Sequence, residues 1–138
     1  MTQAQGNISE IEFMSRAIKK GFSISKPMFV EKYDCLVDNG KHLLKIQIKS
    51  TNFKSKTSYS ISLLHGSKKK EKYTAGQVDY IVIHIPNENI WYIIPFREAA
   101  THLHLHPWDD GCRYDKYKEA WNILCSRIEI ATNEIQKL

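Results

Sequence analysis

Tyr33-Asp34-Cys35-Leu36-Val37-Asp38, then Asn39-Gly40, then Lys41-His42-Leu43-Leu44-Lys45-Ile46-Gln47-Ile48-Lys49, is the stretch on which the fold reading turns. Asn-Gly between two alternating runs predicts a β-hairpin, because a type I′ turn needs positive φ at both central residues. A two-residue turn would set Asp38 opposite Lys41, Cys35 opposite Leu44 and Asp34 opposite Lys45. Side chains alternate from there. Tyr33, Cys35, Val37, Leu44, Ile46 and Ile48 form a core face, while Asp34, Lys45, Gln47 and Lys49 share the other. That second face is either a solvated hairpin surface or a place for chemistry.

The chain has 138 residues, 42% hydrophobic and 25% charged, which fits one soluble domain over 1–138 with a real core. No apolar run approaches the ~18 residues of a membrane span, and the N-terminus lacks a basic-then-apolar signal, so the expectation is a cytoplasmic protein with no membrane partner. Cys35, Cys112 and Cys125 are widely spaced without a CxxC, which argues against disulfides or a zinc ribbon. The net charge of +5 is uneven: Lys41 to Lys72 holds nine lysines against the single Glu71, net +8, and the remainder is acidic. A basic stretch around Lys49 is the footprint of a polyanion partner; Lys68-Lys69-Lys70 alone reads more readily as a solubilising loop, and its place beside Lys49 is what favours the polyanion.

Upstream, Gly6 to Ile18 has helical period with Gly21 as its stop. Ile8, Ile11, Phe13, Met14, Ala17 and Ile18 fall on one arc, Glu10 projects within it, and Glu12 joins Arg16, Lys19 and Lys20 on the wet face. A carboxylate on a packing face needs a partner, a metal or a raised pKa. The structural alternative is Asn7 as N-cap with Glu10 completing a capping box. Phe22 to Val30, with Pro27 inside it, reads as an edge strand or a strand ending at the proline. Ser50 to Thr57 is polar and basic with one aromatic, Phe53, suited to a sugar-phosphate backbone.

Tyr59 to Leu63 alternates as a half-buried strand, followed by a loop carrying the lysine run. Asp79 to Ile85 is a continuous apolar run expected to be a central strand buried on both faces, and Ile90 to Ile94 a further strand ended by Pro95. A closing helix is predicted from about Tyr114, with Tyr117, Ala120, Trp121, Leu124, Cys125 and Ile128 on its packing face. His102, His104 and His106 alternate, so a transition-metal site is conceivable, but no carboxylate or zinc spacing supports it. There is no internal repeat, P-loop, GxGxxG, GxSxG or HExxH.

A carboxylate on one strand with Gln-x-Lys on its neighbour nearly matches the metal-nuclease pattern PD…(D/E)xK, with Tyr33 in place of Pro and Gln47 in place of the second acid. Gly6-x-x-Ser9-Glu10, Tyr33-Asp34, Gln47-Ile48-Lys49-Ser50, Tyr73-x-x-Gly76-x-Val78-Asp79-Tyr80, Ile94-Pro95 and Tyr117-x-x-Ala120-Trp121 occur in that order. This set resembles the PD-(D/E)xK group I intron homing endonucleases over nearly the whole chain. The resemblance implies an α/β (α+β) restriction-endonuclease-like fold, a mixed β-sheet core flanked by helices. It also implies Mg²⁺-dependent cleavage of double-stranded DNA at a long pseudo-palindromic site by a homo-oligomer, a tetramer or dimer.

Carried over by position, Glu10 would be the helix carboxylate near the metal, Asp34 the central metal ligand, Gln47 a substitute ligand or water-positioning group, and Lys49 the residue at the attacking water. The basic and polar residues Lys45, Ser50, Thr51, Lys54, Lys56, Lys68, Lys69, Lys70 and Lys72 are the expected DNA contacts. A Holliday junction resolvase would share these features, and a DNA-binding protein that has lost chemistry at Gln47 is the alternative of another class.

Overall fold

The computed structural model describes residues 2–66 and 68–125. Helix α1 runs Gln3–Lys19, opened by Thr2, whose Oγ1 accepts from the Gln5 N–H at 3.1 Å. Gly21, at φ 97°, takes the left-handed position that stops it. The helix therefore starts one turn before Asn7, and the capping-box account of Glu10 falls away. Its buried seam is narrow: Ser9, Phe13 and Ala17, at a spacing of four. Ile8, Ile11 and Ile18, expected on the packing arc, are 47%, 62% and 57% exposed. A helix lying on a flat sheet touches it along one stripe, so the rest of a wide apolar arc stays outside.

A five-stranded mixed sheet forms the centre, built from β1 (Ser23–Ser25), β2 (Cys35–Asp38), β3 (Leu43–Ser50), β6 (Tyr80–Ile85) and β7 (Ile90–Pro95), in the order β1-β2-β3-β6-β7. All neighbours are antiparallel except β3 and β6, which run parallel. The short β1 is an edge strand ending before Pro27, as its sequence predicts. Every residue of β6 is buried. Tyr80 and Val82 face the cluster containing Phe13, Trp91, Trp121 and Leu124, while Ile81, Ile83 and Ile85 face a second cluster with Tyr92, Leu103 and Leu105. A strand covered on both sides has no wet face, which is why its sequence is apolar without alternation.

The second cover is a three-stranded antiparallel sheet of β4 (Lys54–Ser55), β5 (Ser58–Ser62) and β8 (His102–Leu105). Tyr59, Leu103 and Leu105 point inward, whereas His102 and His104 are exposed.

Two local predictions are corrected. In the hairpin, Cys35 pairs with Ile46, Leu36 with Lys45 and Asp38 with Leu43, so the register is two residues away from that of a tight turn. Only Gly40 has positive φ, 95°, and the turn is not type I′. Asn39 Oδ1 instead accepts from the N–H groups of Lys41 and His42, and its Nδ2 donates to Leu124 O, so a four-residue loop is tied to the C-terminal segment. A shift of two preserves side-chain parity, so both predicted faces survive.

The predicted closing helix does not begin at Tyr114; among the described residues only 123–125 are helical. The chain makes a 3-10 turn at Asp115–Tyr117, and Glu119 takes a positive φ of 51°. The Glu119 carboxylate oxygen Oε2 accepts the Trp91 N–H at 3.1 Å and the Glu119 N–H donates to Trp91 O at 2.7 Å, which pins the segment against β7 where a helix was expected. Tyr117, Ala120, Trp121 and Leu124 are nonetheless buried. Ile128 lies outside the described residues.

Candidate active site

The outer cover lies over β6 and β7, which leaves the same sheet face open at β2 and β3. Asp34, Gln47 and Lys49 occupy that opening. Asp34 precedes β2 by one residue; its N–H donates to Ile46 O at 2.8 Å, and its Oδ2 accepts the Ile48 N–H at 2.7 Å. The observed register carries Asp34 to the level of Gln47, not Lys45. Gln47 and Lys49 follow each other on that face, about 7 Å apart along the strand.

Burial pushes the Asp34 carboxyl up to about 6; the Ile48 N–H pulls it down, Glu10 raises it further, and Lys49 and Lys26 oppose. Burial lowers the Lys49 amine, with the Asp34 charge opposing and Lys70 adding to the effect. Its Nζ lies 5.8 Å from the centroid of the Tyr73 ring. Tyr73 is pushed up to about 12 by burial and by Asp34. Glu10 Oε1 lies 3.8 Å from Lys26 Nζ. The structure thus gathers Glu10, Asp34 and Lys49 into one electrostatic neighbourhood beside Gln47.

Lys26 and Tyr73 were missed as site neighbours. Tyr73 has a trace in the ordered motif set, whereas nothing local marks Lys26, which follows an edge strand. His84 had a signal, a polar residue in a buried strand. Its Nδ1 is 2.8 Å from Ser9 Oγ, its ring stacks on Trp91 at 3.9 Å, and burial followed by the Arg16 charge lowers it to about 4. This pair anchors α1 to the sheet next to Glu10. Glu12 Oε2 lies 3.8 Å from His84 Nε2.

The expected polyanion contacts divide. Lys54, Lys56, Lys68, Lys69, Lys70 and Lys72 are exposed, and Lys70 is near enough to act on Lys49. Lys45 Nζ donates to Gly76 O at 2.7 Å. Ser50 is half-buried at the end of β3. Thr51 is buried and its hydroxyl is engaged by Ser60 O and the Phe53 N–H, so it is structural. Among the described residues, no group of three His, Cys, Asp or Glu side chains is placed to hold a metal. His102, His104 and His106 line one cleft with Cys112, where His104 pairs with Ser60 and His106 with Asp109. At the sheet opening the acidic donors are two, Glu10 and Asp34.

A mixed sheet with its acid and lysine on adjacent strands, α1 on one face and a small sheet on the other, is a restriction-endonuclease-like fold. The profile of the PD-(D/E)XK endonuclease family matches residues 1–124, and the chain belongs to that family. Among solved structures it is similar to a bacterial homing endonuclease, I-Ssp6803I, with a TM-score of 0.80 and 22% identity over 94% of this chain and 96% of that one. It is also similar to Hjc, a Holliday junction resolvase from Archaeoglobus fulgidus, with a TM-score of 0.50 and 15% identity over 80% and 87% of the two chains. No curated protein sequence matches the chain. Among the described residues, no helix is long and apolar enough to cross a membrane.

Proposed function

We propose that this chain is a Mg²⁺-dependent endonuclease that hydrolyses phosphodiester bonds of double-stranded DNA at a specific long site, acting as a homo-oligomer, a tetramer or dimer. The observation that carries the reading is the Asp34 carboxyl, held desolvated and beside Glu10 on an open sheet face that also presents Lys49. Such an arrangement costs stability unless a cation joins it. Two carboxylates and the amide oxygen of Gln47 are hard oxygen donors. Mg²⁺ binds through one or two carboxylates, completing its shell with water and substrate phosphate, so the donor set fits. When bound, the ion would neutralise charge building on the phosphoryl oxygens.

The chain's own residues supply the rest. Asp34, fixed by the Ile48 N–H, holds its carboxylate toward the opening; Glu10 adds the second negative charge from α1. Lys49, its proton loosened by burial, orients the attacking water and takes part in its proton transfer. Gln47 positions water or accepts a ligand role without adding charge. The exposed lysines 54, 56, 68, 69, 70 and 72 bind the phosphate backbone around the cut. The exposed Ile8, Ile11 and Ile18 on α1 are apolar surface available to an oligomer.

The fold shared with Hjc supports a second reading, cleavage of four-way junctions regardless of sequence. Incubating the protein with Mg²⁺ or Mn²⁺ and either a library of long duplexes or a four-way junction separates the two. Gln47→Glu, restoring a third acid, should retain Mg²⁺-dependent cutting with an altered metal midpoint. A wild type that binds its duplex but cuts nothing in either metal is a DNA-binding protein, and the enzyme reading is then wrong.

A further inference from the structure

We propose that Met28, Phe29 and Val30 form a wedge that enters the base stack of the DNA at a step beside the sheet opening at Lys49 and Asp34. The inference rests on the DNA reading above. These three consecutive side chains are 90%, 80% and 100% exposed. They occupy the connection from β1, ending at Ser25, to β2, beginning at Cys35. Both ends of that connection are held at the site: Lys26 Nζ lies 3.8 Å from Glu10 Oε1, and the Asp34 N–H is bonded to Ile46 O at 2.8 Å. The residues between must project from the rim of the opening. Phe29 stands five positions before Asp34, a reach of at most about 17 Å along an extended chain. A duplex whose backbone crosses the sheet opening at Lys49 and Asp34 therefore meets the apolar tip within a few base pairs.

The charge around the tip selects the partner. Lys26 and Lys32 flank it against Glu31, and Lys49, on the open sheet face, is near enough to act on Asp34. Cations beside an apolar tip suit a polyanion whose phosphates lie outside and whose apolar bases lie between them. Proteins that kink DNA use Phe, Met, Leu and Ile in this way, offsetting the cost of unstacking with added contact. A second copy of the chain fits the tip less well. Even at about 200 Å² per side chain, three residues offer about 600 Å², short of the about 800 Å² per partner in a stable interface.

The test uses two duplexes of about 30 base pairs, identical except that one carries a single unpaired nucleotide at its centre, with binding followed by fluorescence anisotropy without divalent metal. Wild type should bind the bulged duplex about tenfold more tightly, because the step is already opened. A Met28→Ser, Phe29→Ser, Val30→Ser triple variant, whose changes are all at exposed positions, should unfold at the wild-type temperature and bind the two duplexes within about twofold of each other. A variant that keeps the full preference overturns the wedge, as does wild type binding both duplexes equally while still cutting DNA. A change of mass in light scattering on the triple substitution would make the tip an interface between copies. Wild type that binds neither duplex overturns the DNA reading, and the wedge with it.

Discussion

Replacing Asp34 with Asn should stabilise the fold at neutral pH while ending cleavage. The carboxyl titrates at 3.8 in an unfolded chain and at about 6 in the fold, where burial and Glu10 disfavour its charge. Between those values the folded state keeps a proton that the unfolded state has released. Stability from this group is therefore full below pH 3.8, falls as pH rises, and is gone above about 6. At 1.36 kcal/mol per pH unit, the charged carboxylate costs the apo fold about 3 kcal/mol at pH 7.5. The side chain is only half-buried, so solvent reduces this, and an effect of about 1 to 3 kcal/mol is expected. Asn keeps an oxygen to accept the Ile48 N–H and removes the charge. In a domain of this size the melting temperature should rise by about 3 to 10 °C at pH 7.5 and be unchanged at pH 3.5, where Asp34 is protonated. Thermal unfolding of both proteins from pH 3.5 to 8 reads this directly. Mg²⁺ should raise the melting temperature of wild type but not of the variant, because only wild type offers the ion a paired acidic site. A variant less stable at pH 7.5, or a difference that does not change with pH, would refute the argument.

Lys49→Ala should lower cleavage by about 10² to 10⁴ while gel-shift affinity stays within a few fold, since the amine acts on the water more than on phosphate; binding lost by orders of magnitude with cutting intact contradicts this. Glu10→Gln should slow cleavage far more than Glu12→Gln in single-turnover assays, because Glu10 faces Lys26 and Asp34 whereas Glu12 faces His84; equal effects would place the acid elsewhere. Neutralising Lys68, Lys69 and Lys70 together should weaken binding to all duplexes and flatten the plot of log affinity against log salt by up to about three phosphate contacts. An unchanged slope makes this run a solvated loop.

Alternation is a local property, so the two faces of β2 and β3, and with them the grouping of Asp34, Gln47 and Lys49, were legible from residue order alone. They survived a wrong turn type because the register moved by two, and side-chain direction repeats every two residues. The buried run of β6 and the edge position of β1 were legible for the same reason: the apolar pattern records which sides are covered, and a proline marks an edge.

What only the tertiary structure decided is everything that depends on one element meeting another. Helical period gave α1 a wide apolar arc, but which stripe is buried depends on where Trp91, Trp121 and His84 stand, and Ser9, Phe13 and Ala17 are the residues they meet. The Tyr114 segment carries an apolar spacing of three and four that suits a helix. The Trp91 N–H and C=O instead took the Glu119 carboxylate and N–H as partners, and Glu119 turned the chain to meet them. Lys26 reaches Asp34 by the folding back of the β1–β2 connection and Tyr73 from a loop after β5, where no periodicity records the approach. The acidity of Asp34 is likewise absent from its sequence neighbourhood, since it is set by desolvation and by Glu10, which lies 24 residues earlier and arrives only through packing.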